Sequence, residues 1–161
     1  MERAQIHREF VEKYSEPRMK EAIQVTPDVF VPIENALSVT FPSAYLEFIT
    51  RYGPVFTPKL LDAIVTSRES GTKEETEVFD VKEFLEPTAI IESHRLNVSG
   101  GMEDWLVPVA MDCMGNSFGF KREKYSARPD DSPVFLFDHD FCQIIQVAES
   151  FDNWLAGFLG Y

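Results

Sequence analysis

Cysteine is nearly missing from this chain. Cys113 and Cys142 stand apart and form no C-x-x-C pair, which excludes a disulfide framework and a structural zinc site and predicts two buried, reduced thiols. Long apolar runs are missing too: nothing approaches the ~18 residues of a membrane span. Met1 to Phe10 alternates charge with isolated apolar residues where a signal peptide would be continuous. The expectation is a soluble, cytoplasmic protein. Basic residues are scarce, with 15 Lys and Arg against 27 Asp and Glu for a net charge of −12. Such a surface repels phosphate backbones, which excludes DNA and RNA as partners, whereas a basic protein surface would be drawn to it. Acidity also serves plain solubility. Catalytic motifs are absent as well: no G-x-S-x-G, H-E-x-x-H or phosphate-loop pattern accompanies His7, His94 or His139. Neither catalysis nor a cofactor is expected.

What the chain has is core material. Its 161 residues are 44% hydrophobic and include 14 Phe, enough for one domain with a packed interior. Ile6, Phe10 and Tyr14 recur every fourth residue and predict a helix over residues 3–15 that packs by one face. Met19, Ala22 and Ile23 suggest a further short helix. Thr26-Pro27-Asp28 and Val31-Pro32 then read as a connector. A helix from Ile33 carries Ala36 and Leu37. Pro42-Ser43 opens another, with Tyr45, Phe48, Ile49 and Tyr52 on its apolar face and Gly53-Pro54 at its end. Pro58 starts a third, with Leu60, Leu61, Ile64 and Val65 at helical spacing. Ser67 to Glu77 is polar and reads as an exposed loop. Val78, Phe79 and Val81 predict a short strand, and Pro87 opens a helix that turns Ile90, Ile91 and His94 inward.

The second half changes period. Trp105 to Met111 is apolar, Asp112 to Asn116 supplies turn chemistry, and Phe118 and Phe120 alternate with Gly119 and Lys121, which together make a hairpin. Val134–Phe137 and Ile144–Val147 flank the Asp138-His139-Asp140 turn and make a second. Ser150 caps a last helix that faces Phe151, Trp154, Leu155 and Phe158 inward. Helices gathered early and hairpins late predict an α+β fold, a mainly antiparallel sheet with helices packed on one face. The missing βαβ alternation argues against a dinucleotide-binding fold.

These landmarks carry a resemblance. Ile33-Glu34-x-x-Leu37, then Phe41-Pro42-x-x-Tyr45-x-x-Phe48 to Tyr52-Gly53, resembles the opening of the SUKH superfamily. Glu83-Phe84-Leu85-x-Pro87-x-x-Ile90-Ile91 and Trp105 before Asp112-x-x-Gly115-Asn116 are similar to its middle. Pro133-Val134-Phe135, Asp138-His139-Asp140 and Ser150-Phe151-x-x-Trp154-Leu155 resemble its close. The resemblance covers roughly Pro32 to Leu159, leaving residues 1–31 as an N-terminal helical extension and 32–161 as a SUKH-like unit. One departure is Ser38, which stands where such families commonly place Gly. The resemblance implies a non-catalytic binding protein, either an immunity protein that neutralises a toxin or a scaffold like the fungal cell-wall assembly regulators. A toxin that acts on nucleic acid is basic in its groove, which suits the acidic chain.

The residues that could meet a partner are the acids Glu74, Glu75, Glu77, Asp130, Asp131, Asp138 and Asp140. Pro42, Tyr45, Gly53, Trp105, Asp112, Gly115, Asn116, Ser150, Phe151 and Trp154 read mainly as structural; both Trp residues, at the edges of apolar segments, belong to the core before they belong to an interface. Asp112, Asp138, His139 and Asp140 form the most metal-like set, the basis of a metal-dependent hydrolase as an alternative. Turn carboxylates that accept their own backbone amides explain the same residues more simply, so no metal is expected.

Overall fold

The computed structural model describes residues 1–17, 24–71 and 78–161. Among them run six α-helices: α1 (Arg3–Tyr14), α2 (Phe30–Leu37), α3 (Ser43–Tyr52), α4 (Lys59–Glu69), α5 (Ile90–Ser99) and α6 (Phe151–Phe158). Five strands, β1 (Glu83–Phe84), β2 (Leu106–Met111), β3 (Ser117–Lys121), β4 (Val134–Asp138) and β5 (Gln143–Ala148), follow the same order in space as in sequence. Each pairs antiparallel with the next. The result is the expected α+β domain. The suggested helix at Met19, Ala22 and Ile23 lies outside the described residues.

Alternation along the strands divides the core. Val107, Phe118, Phe120, Val134 and Leu136 point to a large aromatic interior shared with α1, α3 and α6, while Leu106 and Phe137 point the other way, to a smaller cluster with Met102. Aromatic rings dominate the main core. Phe48 lies 4.8 Å from Phe84, 5.6 Å from Phe151 and 6.2 Å from Phe10, centroid to centroid, the range in which tilted and edge-on pairs gain beyond their buried area. Phe151, Trp154, Leu155 and Phe158 are all buried, and Ser150 Oγ accepts from Asn153 N (3.1 Å), the N-cap the sequence predicts. Trp105 is half-buried, its ring edge-on to Phe135 at 5.3 Å.

Several expectations are corrected. Val31-Pro32 is not a connector but part of the first turn of α2, where proline's missing N–H costs no helical bond. Ser67 to Glu69 belong to α4 rather than to a loop. The strand expected at Val78 to Val81 lies at Glu83–Phe84; Val81 is buried beside it, where apolar content misleads about pairing. Leu61, Val65 and Ile91 face solvent, because Leu60 and Ile64 fall on the inward side of α4 and Ile90 and His94 on that of α5. Cys113 and Cys142 are exposed, not buried, since both sit on turns between strands.

The α2–α3 corner explains several of the motif residues. Pro42, extended at φ −69° and ψ 152°, precedes α3. Glu34, buried on α2, reaches over to accept from Phe41 N (2.8 Å) and from Arg128 Nη1 (2.6 Å) and Nη2 (3.2 Å). Tyr45 then enters the core fully buried. At the far end of α3, Gly53 adopts φ 72° and ψ −172°, a region open essentially to glycine alone. Ser38, by contrast, is a non-glycine residue in the left-handed region, with φ 50° and ψ 47° at the C-cap of α2. Serine pays a steric penalty there that glycine avoids. Ser38→Gly is expected to raise stability by about 1 kcal/mol, seen in a thermal melt as a rise of about 2–4 °C; Ser38→Val should lower it.

Candidate functional site

The sequence-predicted acids are not gathered into one place. Asp130 and Asp131 precede β4, and Asp138 and Asp140 close it. Asp131 and Asp138 are seven residues apart, with Val134 to Phe137 of β4 between them, roughly 23 Å if the chain is extended throughout. Glu74, Glu75 and Glu77 lie outside the described residues.

At the first end, the 129–131 segment caps two helices. Pro129 O and Asp130 O accept from Ser43 N and Ala44 N of α3, and the Asp131 carboxylate accepts from Phe151 N (2.8 Å) and Asp152 N (3.1 Å) of α6. A carboxylate at a helix N-terminus satisfies orphan amides and meets the positive end of the dipole. Asp131 therefore holds the fold. Asp130 is well exposed but engaged, with Arg3 Nη2 at 2.8 Å. Arg3 Nε also meets Asp152 Oδ2 at 2.8 Å, while Asp152 Oδ1 lies 2.8 Å from His7 Nε2. The carboxylates around it raise the Arg3 pKa further, chiefly through Asp130. Burial pushes the His7 imidazole down, against the pull of Asp152. This cluster clasps α1 to α3, α6 and the approach to β4.

At the second end, two turns lock together. Asp112 Oδ1 accepts from Met114 N (2.9 Å) and Asn116 N (2.8 Å), and Oδ2 accepts from Asn116 Nδ2 (2.8 Å). That last bond orients the amide, so Asn116 Oδ1 faces the other turn and receives His139 N (3.2 Å) and His139 Nδ1 (2.9 Å), which places a proton on Nδ1. Gly115 lies at φ +90° within the Asp112–Asn116 turn. Asp138 Oδ1 accepts from Asp140 N (3.0 Å) and Phe141 N (3.3 Å). The carboxylates of Asp112 and Asp138 are thus spent on backbone amides, as the residue pattern suggests. His139 Nε2 approaches Asp140 Oδ1 at 3.3 Å, and Asp80, buried behind the first turn, accepts from Cys113 N (3.3 Å).

The bonds from His139 to Asn116 hold the two turns to one another. Burial pushes the Asp80 carboxyl up, and burial with Asp80 alongside pushes the Cys113 thiol up to about 11, which disfavours the thiolate a nucleophile needs. Among the described residues, no group of three or more His, Cys, Asp or Glu side chains is arranged to hold a metal ion. No helix among them is long and apolar enough to cross a membrane. The turns do display something else at their tips: Met114 is 67% exposed and Phe141 76%.

One feature of this surface is written in the sequence alone. After Arg128 the chain contains no Lys or Arg, while Asp130, Asp131, Asp138, Asp140, Glu149 and Asp152 supply half of the net charge of −12. The structure makes this stretch into β4, β5 and α6 and brings two cations to it from α1: Arg3, which pairs with Asp130 and Asp152, and Lys13, whose Nζ donates to Leu159 O and Tyr161 O. Its other contribution, the apolar groove between β5 and α6, depends on strand order and has no local signal.

The class so defined is an acidic α+β domain, an antiparallel meander backed by helices, whose turn carboxylates are engaged by their own backbone. The profile of the SMI1/KNR4 family (SUKH-1) matches residues 24–157, and the chain belongs to that family. Comparison with curated proteins gave no match, and comparison with solved structures gave none.

Proposed function

We propose that this protein is a non-catalytic binding module of the immunity type, which neutralises a cognate toxin by covering a basic surface, with a nuclease as the toxin class that fits best. Family membership is consistent with this class. The observation that supports the finer reading is the charge: a net of −12 with no Lys or Arg in the stretch from Pro129 to Tyr161, where Arg3 offsets Asp130 and Asp152 while Asp140 and Glu149 remain exposed. Complementary fields raise the encounter rate and reject wrong partners, and a nuclease groove is positive because it must hold phosphates. The cytoplasm is where such a protein would meet an incoming toxin before it reached its target.

Co-expression with a toxin encoded beside the gene tests this. Growth should be rescued, and the purified proteins should form one tight complex whose affinity falls steeply as salt is raised. A chain that neither binds nor protects sinks the reading. Several weak, salt-insensitive partners would point instead to a scaffold. Deleting residues 1–31 does not discriminate between the two, because α1 lies in the core.

A further inference from the structure

The sheet has two edges, and they are treated differently. β1 is two residues long, and its outer side is taken: Phe84 N donates to Val55 O (3.0 Å), Thr57 N donates to Lys82 O (2.7 Å), and Phe56 bridges Glu83. β5 has six residues, and among the described residues no segment other than β4 pairs with it. Regular pairing with β4 runs from Gln143 to Gln146, and a bulge at Val147 precedes Ala148. Exposed edges are normally blunted by Lys, Pro, an inward-pointing charge or a bulge. Gln143-Ile144-Ile145-Gln146-Val147-Ala148 has only the bulge, at its C-terminal end, and no Lys, Pro or charge, and none of its residues is fully buried.

A groove of about 360 Å³ is lined by Ile145 and Val147 of β5 together with Phe79, Phe118, Trp154 and Phe158. A strand added outside β5 would send every second side chain to this face and the others to the opposite one. Apolar side chains would enter the groove. The charges at the strand's ends say what the rest of the added segment should be. Asp140 stands before β5 and Glu149 just after it, both exposed, with no Lys or Arg in the local chain to offset them. A second copy pairing antiparallel over Gln143–Ala148 would bring its own Asp140 near Glu149, two residues off register, so that like charges gather at each end of the pair.

We propose that the β5 edge is a docking site for an extended basic segment of a protein partner, with alternating apolar and cationic side chains, which adds a sixth strand to the sheet. The inference rests on the reading of this chain as a binder of a basic protein, and it names the surface used. Backbone bonds to β5 supply the register, the groove selects the apolar positions, and Asp140 and Glu149 select the cationic ones.

The test uses the full chain and a short capped peptide that alternates lysine with valine. Fluorescence anisotropy should show binding that weakens at least about tenfold from low to high salt, and hydrogen exchange should slow at alternate amides of residues 143–148. The same peptide with glutamate for lysine, or with a central proline that cannot complete the ladder, should not bind. The surface variant carrying Asp140→Lys and Glu149→Lys should fold normally and lose about tenfold or more in affinity. No binding, equal binding of the glutamate peptide, or protection confined to the 112–116 turn overturns the proposal. Self-association that protects the same amides without peptide assigns the edge to a second copy and overturns it too. If a basic toxin binds but protects another surface and tolerates both substitutions, the edge proposal falls while the neutralisation reading stands. If the peptide pairs with β5 but no toxin binds, the edge stands and the toxin reading falls.

Discussion

Phe10→Ala should cost about 3–5 kcal/mol of unfolding free energy, the usual range for emptying a fully buried aromatic site, and in a chain of this size the midpoint should fall by about 6–20 °C. The expectation follows from the contacts of one ring. Phe10 has no exposed surface and lies 5.5 Å from Tyr14, 6.2 Å from Phe48, 6.5 Å from Phe84 and 6.0 Å from Phe158. It therefore joins α1 to α3, α6 and β1 at once. The measurement is a urea titration followed both by a core aromatic signal and by helical circular dichroism. Coincident transitions shifted to lower urea would show one cooperative unit. A variant that melts like its parent, or in two steps, would make α1 a separable appendage. The outcome bears on what the family match leaves open, since that match begins at residue 24 and α1 ends at Tyr14.

The sequence speaks clearly where one side chain pattern has one structural solution. α3 and α6 were legible because apolar residues at helical spacing are bracketed by caps, Pro42 and Gly53 for one and Ser150 for the other. The hairpins were legible because alternation and turn residues agree. Errors fall where composition admits two answers. Proline at position 32 marks the start of a helix as readily as a break, and the run at Val78 to Val81 is apolar enough for a strand, although pairing waits until Glu83. The binding surface was harder to read. Asp130 and Asp131 look alike in sequence, yet one carboxylate salt-bridges Arg3 in the open and the other is consumed capping α6. Such roles are assigned by residues far along the chain, as Arg3 is assigned to Asp130 and Asp152. Only the cation-free stretch after Arg128 was written locally.

The Glu34–Arg128 pair should produce the other large effect. Glu34 has a nearly buried side chain, and its carboxylate accepts from two guanidinium nitrogens and from Phe41 N. Arg128 Nη1 also donates to Phe41 O at 2.6 Å. Removing one member of a buried pair strands the other, at a typical cost of about 3–5 kcal/mol; the Arg128 side chain is 36% exposed, so about 2–4 kcal/mol is the better expectation here. Arg128→Ala leaves a buried anion with only the Phe41 amide to solvate it. Glu34→Ala leaves that amide without its acceptor, while the freed guanidinium can turn toward water. The arginine variant should therefore be the less stable of the two, and the double variant should lose less than the two single losses added together, since each substitution removes the charge the other abandons. Chemical denaturation of the four proteins closes the cycle. Additive losses would mean the two side chains act independently and the corner is held by packing alone. A coupling of about 1 kcal/mol or more would mean that the clamp fixes the Phe41-Pro42 step, and with it the direction in which α3 carries Tyr45 and Phe48 into the core.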